Sequence, residues 1–165
     1  MPLANTVMYE EQHRRINEIL SRLGSEANAR ATFLIHRNGQ QIASNGRDVE
    51  TLDATSLASL TAGNVASTDA IANLIGEREF SALVHEGDKD SLHISLINPR
   101  IIMLILFDEN SSLGLVKLRA RKATEDLVEI FEQVEEVRRT REAEGEMDES
   151  PFGDITDDDI DSLFA

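Results

Sequence analysis

The sequence predicts an α+β domain, a three-layer sandwich in which helices cover an antiparallel sheet of about five strands. Three observations predict it. Stretches with apolar residues every three or four positions alternate with short runs of period two, in the order α-β-β-α-β-β-β-α. The turn dipeptides Asn38-Gly39 and Asn98-Pro99 separate neighbouring strand-like runs closely enough to make hairpins of them. Arg100 to Phe107, RIIMLILF, is apolar on both faces, which suits a central strand covered on each side.

The first element is a helix over Tyr9 to Leu23, with Tyr9, Ile16, Ile19, Leu20 and Leu23 on one face and Gly24 as its stop. Two strands follow, Ala31 to Arg37 and Gln40 to Ser44. The Asn-Gly between them tolerates the two positive φ angles of a type I′ turn. A polar loop after Asn45-Gly46 leads to a long helix, Thr51 to Gly76, with Thr51 or Asp53 as N-cap. Glu79 to His85 reads as a short strand on Phe80, Leu83 and Val84. Leu92 to Ile97 alternates Leu92, Ile94 and Leu96 with Ser91, His93 and Ser95, the pattern of a half-buried strand. Ser111 or Ser112 caps the last helix, whose apolar positions keep helical spacing from Leu113 to Val137. Its charged end, from Glu135 onward, is expected to outrun the core or fray.

The Thr51 to Gly76 stretch has two unequal apolar faces. Leu57, Leu60, Ile71, Leu74 and Ile75 read as the stripe that meets the core, and the i, i+4 row Ala58, Ala62, Ala66 and Ala70 as the outer side. Between Thr55 and Gly76 the only charge is Asp69. A face of Ala, Ser59, Gly63 and Ser67 neither repels a neighbour nor holds it away, as suits a helix laid against another protein. A merely Ala-rich or buried helix is the other reading, since Ala is the best helix former.

A chain of 165 residues suits one domain with an extension. The absence of Cys excludes disulfides and thiolate metal sites. The start, MPLANTVMYEEQHRR, lacks the order of a signal peptide, and no apolar run approaches the ~18 to 20 residues of a membrane span. A cytoplasmic protein without membrane insertion is expected. The net charge of −15 is lopsided: Glu142 to Ala165 holds ten Asp and Glu and no Lys or Arg, leaving −5 for Met1 to Arg141. Without a broad basic surface, binding to nucleic acid or anionic lipid is not expected.

No catalytic constellation emerges. There is no G-x-x-x-x-G-K-[ST], G-x-G-x-x-G or G-x-S-x-G, and His13, His36, His85 and His93 form no H-x-x-x-H pair. Asp157 to Asp159 lack the glycine and terminal Glu of a calcium loop. Lys117, Arg119, Arg121 and Lys122 have no interleaved aromatics and read as a solvated helix face. The expectation is no catalytic residue, no metal and no cofactor, with function residing in surfaces.

The chain divides into a folded domain over 1–141, an acidic connector over 142–154, rich in Glu, Gly, Ser and Pro, and a short amphipathic helix over 155–165. In that last segment Thr156 is the N-cap, Asp157 to Asp159 fill the first turn, and Ile155 and Ile160 stand at N′ and N4. Ile160, Leu163 and Phe164 share a face. This is the form of a groove-docking peptide, or of a segment folding back on its own domain near Lys117, Arg121 and Lys122.

The element order, together with SLASLTAGNVAS, VHEGDKDSLHI and LILFDENSSLGLVKLR, resembles the roadblock domain, the light-chain fold first associated with dynein. The nearest likeness is to its bacterial branch, regulators of Ras-like polarity GTPases; it covers Val7 to about Val137 and resumes at SPFGDITDDDIDSLF. The resemblance implies a roadblock-type fold and a homodimer whose second helices pair side by side. It also implies that the third strands, with Phe80, Ala82 and Val84, join two sheets into one. The paired helices would form a platform for one Ras-like small GTPase per dimer, on Ser59, Ala62, Gly63, Ala66, Ser67 and Ala70. Members of that branch stimulate GTP hydrolysis without an arginine finger, by holding the GTPase so that its own residues are positioned. The C-terminal anchors Ile155, Ile160, Leu163 and Phe164 would bind a different surface of the GTPase and modulate exchange, or recruit another polarity protein. A role in polarity and motility, and concentration at a cell pole, follow from the same likeness. The alternative is a passive scaffold, as in eukaryotic roadblock proteins.

Overall fold

The computed structural model describes residues 2–145. Its elements are α1 (Pro2–Glu26), β1 (Ala31–His36), β2 (Gln41–Asn45), α2 (Ala54–Leu74), β3 (Ala82–Glu86), β4 (Asp90–Asn98), β5 (Ile101–Asp108) and α3 (Leu113–Glu144), with a single 3-10 turn at Val49–Thr51. The strands form one five-stranded sheet in the order β2-β1-β5-β4-β3. Every neighbouring pair is antiparallel. This is the expected α+β architecture.

The apolar run of β5 sits at the middle of the sheet and is buried from Ile101 to Phe107. Successive side chains alternate across the sheet, so β5 feeds two cores. Met103, Ile105 and Phe107 join Ile16, Leu20, Leu127 and Ile130 beneath α1 and α3. Ile102, Leu104 and Leu106 join Phe33, Ile35 and Ile94 beneath α2. One helix therefore covers the second face, while two antiparallel helices cover the first. Arg15, Arg22 and Glu26 of α1 meet Gln133, Asp126 and Arg119 of α3 in turn.

Several local expectations change. Gly24 does not stop α1, which continues to Glu26; the chain leaves through Asn28 at φ 51, a left-handed position that Asn tolerates. Asn28 is held there by donating its side-chain amide to the Asn110 carbonyl at 2.6 Å. The β1–β2 turn is not type I′, since of its two central residues only Gly39 has a positive φ, at 96°. The Gly39 N–H donates to the His36 carbonyl at 2.8 Å, and the Asn38 side chain instead accepts from the Gln40 N–H at 2.9 Å. The extra turn residues are absorbed as a register shift between Leu34 and Ile35. At the far end, α3 stays helical to Glu144 and does not fray; the apolar core reaches Val134 and half-buried Val137, and of the described residues beyond it Arg141 alone is buried. The side chain of Tyr9, the rest of the acidic connector and the anchors Ile155, Ile160, Leu163 and Phe164 lie outside the described residues.

Candidate functional site

The structure draws attention to α2 and to the edge strand beside it. Asp53 caps α2, accepting from the Ser56 N–H at 3.1 Å and the Ser56 hydroxyl at 2.7 Å. Those two bonds hold its carboxyl below the ordinary aspartate range, the hydroxyl bond contributing most. The other end closes on Gly76 at φ 82, with Gly76 N–H donating to Asn73 and Glu77 N–H to Ala72 at 2.9 Å, a Schellman arrangement. Between the caps the helix is uncharged apart from Asp69, which pairs with Arg37 of the β1–β2 turn.

The two faces of α2 are the reverse of the expected ones. Ala58, Thr61, Ala62, Val65 and Ala72 are buried on the sheet, while Leu60 is 73% exposed and Leu74 86% exposed, with Ile71 and Ile75 also open. Of the stripe expected in the core, only Leu57 packs against it. The physical reason lies in helix geometry. An i, i+4 row turns by about 40° per step around a helix of 3.6 residues per turn. The alanine row therefore starts on the inner side at Ala58 and Ala62, passes half-buried Ala66, and emerges at Ala70. The sheet surface is already filled by Phe33, Ile35, Ile94, Ile102 and Leu104, so small residues let the helix settle on it.

For the expected platform this is a correction at Ala62, which is 4% exposed and faces the sheet. Ser59, Gly63, Ser67 and Ala70 are exposed and Ala66 is half-buried. The outer stripe gains residues that sequence reasoning assigned to the core. It runs Leu60, Gly63, Ser67, Ala70, Ile71, Leu74, with small residues in the middle and large ones at both ends. The helix's own sequence does not decide between its two stripes; the crowded sheet does.

Strand β3 is the end of the sheet and pairs, among the described residues, with β4 alone. Its half-buried residues divide by pleat. Leu83 lies opposite Ile94 on the α2 side, whereas Ala82 and Val84 lie opposite Ser95 and His93 on the α3 side. Phe80 precedes the strand and, with Leu83, Val65, Thr68 and Asp69, lines a small recess between α2 and the sheet. The expected interface residues Phe80, Ala82 and Val84 are thus beside α2 at an open edge, but they do not share one face.

The histidines that the sequence offers are not brought together. No group of His, Asp or Glu could hold a metal ion among the described residues. His85 lies on the α2 side of the sheet and is exposed, whereas His93 is buried on the α3 side, opposite Val84 and Ile105. The sheet separates them, so they line no common pocket. Burial, reinforced by nearby Lys117, pushes the His93 imidazole below its usual range, while His36 accepts the Asn38 N–H at 3.0 Å. A cleft of about 520 Å³ between the β4–β5 turn and α3 is lined by Arg37, Arg100, Phe131, Glu132 and Glu135 among others, a mixture without a nucleophile and base in reach of each other. No helix of the described residues is long and apolar enough to cross a membrane.

Comparison with known proteins agrees with this geometry. No curated protein matches the chain. Among solved structures it is similar to Myxococcus xanthus MglB, at 48% identity over 73% of this chain and 90% of that one, with a TM-score of 0.70. It is also similar to the gliding protein MglB from Thermus thermophilus, at 34% identity over 74% of this chain and 92% of that one, TM-score 0.70. A third similar structure, of MglB with a tetrameric arrangement, is 33% identical over 74% of this chain and 91% of that one, TM-score 0.69. Residues 15–107, from the middle of α1 to the end of the central strand, match the Roadblock/LC7 domain, and the chain belongs to that family.

Proposed function

We propose that this protein is a regulator without an active site of its own, which as a homodimer activates GTP hydrolysis by a Ras-like small GTPase of the MglA type. The observation that carries the reading is the outer face of α2, an apolar stripe from Leu60 to Leu74 with no Lys, Arg or Glu anywhere on the helix. Exposed apolar surface of this kind marks an interaction site, and its small central residues, Gly63, Ser67 and Ala70, allow a second backbone to approach closely. The similarity to MglB supplies the partner class.

In the proposed dimer the α2 helices of two copies pair side by side through Leu60, Ile71 and Leu74, and the open β3 edges, with Phe80, Ala82 and Val84, extend one sheet into the other. The GTPase then lies across both helices, against Ser59, Gly63, Ala66, Ser67 and Ala70. Because α2 carries no cation that could reach a γ-phosphate, acceleration comes from favouring a GTPase conformation whose own catalytic groups are aligned. The C-terminal anchors Ile155, Ile160, Leu163 and Phe164 reach a separate surface of the GTPase and tune nucleotide exchange. A role in cell polarity and motility, with the protein at a cell pole, belongs to the same proposal.

A single-turnover GTP hydrolysis assay with the cognate GTPase, with and without this protein, tests the reading. A rate increase supports it. Binding without any change in rate makes the protein a passive scaffold instead.

A further inference from the structure

Charge and apolar surface coincide at one further place, the first half of α3. Leu118 is 59% exposed there. On its flanks stand Lys117 and Arg121, both exposed and without an ion-pair partner among the described residues, and Lys122, which reaches Asp126 only at 3.4 Å. Gly114, one turn earlier, leaves open space beside Leu118, since a Cβ there would meet nothing within 4 Å. Arg119 differs, being turned to α1 and paired with Glu26 at 3.2 Å. In a chain of net charge −15 this is a cationic patch with an apolar centre.

We infer that this patch docks the acidic C-terminal segment of the same chain, Ile155 to Ala165, when no partner protein holds that segment. Charge complementarity is one argument. Asp157, Asp158, Asp159 and Asp161 carry four negative charges to set against Lys117, Arg121 and Lys122, while Ile160, Leu163 and Phe164 supply apolar surface for Leu118. The individual ion pairs are weak and screened by salt, so the apolar contact is needed to hold the register. Reach is the other argument. From Gly145 back to Arg121 is about 36 Å along α3 at 1.5 Å per residue. The chain from Gly145 to Asp157 spans about 40 Å when extended. The segment therefore reaches the patch of its own chain, and a GTPase that claims the same anchors must compete with α3.

The inference does not depend on the GTPase reading, and its test uses the full chain alone. The sequence has no Cys, so Ser162→Cys gives a single site for a nitroxide label. Paramagnetic broadening of backbone amides then reports where the segment lies. The expected result is selective loss of intensity for Gly114 to Arg121 of α3, restored at about 1 M salt, where the screening length is about 3 Å, and restored in Lys117→Glu/Arg121→Glu/Lys122→Glu. Leu163→Ser/Phe164→Ser, which leaves the domain untouched, should restore it too. Broadening that is absent from α3, that falls on the outer face of α2, or that appears only on unlabelled copies mixed with labelled ones would overturn intrachain docking.

Discussion

Asp69, the only charged residue of α2, is ion-paired with Arg37 in the β1–β2 turn, and both side chains are partly shielded from water. The pair ties the lone helix on its face of the sheet to the hairpin beneath it, and it removes the last net charge from an otherwise neutral surface. Asp69→Asn should cost about 1 kcal/mol, in the upper range for a partly shielded pair. Urea unfolding checks this, and Arg37→Gln in the same background should add little, because the two substitutions remove one interaction.

The orientation of α2 is tested by substituting each face. Ala62→Leu places extra volume against Ile35 and Leu104 and should destabilise the fold by about 1–3 kcal/mol in chemical unfolding. Leu74→Ser should leave the unfolding of the separated chain nearly unchanged but weaken self-association at least about tenfold, roughly 1.4 kcal/mol, as read by sedimentation equilibrium. The opposite pattern would restore the leucine face to the core.

Ala66→Arg combined with Ala70→Arg puts two cations on the edge of the proposed platform, at a half-buried and an exposed site. Stimulated GTP hydrolysis should fall about tenfold or more, while sedimentation shows the dimer intact. Unchanged stimulation by an intact dimer would remove α2 from the GTPase contact.

His93 sets one pH dependence. Its imidazole is held below its ordinary range by burial first and by Lys117 second, so the native state favours the neutral ring. The unfolded chain then binds a proton that the folded one does not, and stability must fall with falling pH. The full contribution is present above the unfolded pKa of about 6.5, and it is lost as pH falls from there through the lower folded value. In thermal melts at several pH values, His93→Gln should flatten this part of the profile relative to the parent.

The sequence by itself determined the element order, the central position of β5 and the absence of charge on α2. Those properties are local: RIIMLILF has no polar face to offer water, Asp53 and Ser112 are caps where their helices begin, and a run of Ala, Ser, Gly and Thr shows its neutrality in any environment. Turn chemistry was only partly legible, because Asn38 binds its own neighbours and leaves the positive φ to Gly39 alone. The direction of α2 was decided by tertiary structure. Two apolar stripes on one helix are equally able to pack, and only the sheet, already crowded with Phe33, Ile94 and Leu104, selects the small one. That choice turns Leu60, Ile71 and Leu74 outward and leaves the helix with an exposed apolar surface. The same sheet divides His85 from His93 by the alternation of its strands, a separation that no spacing along the chain displays.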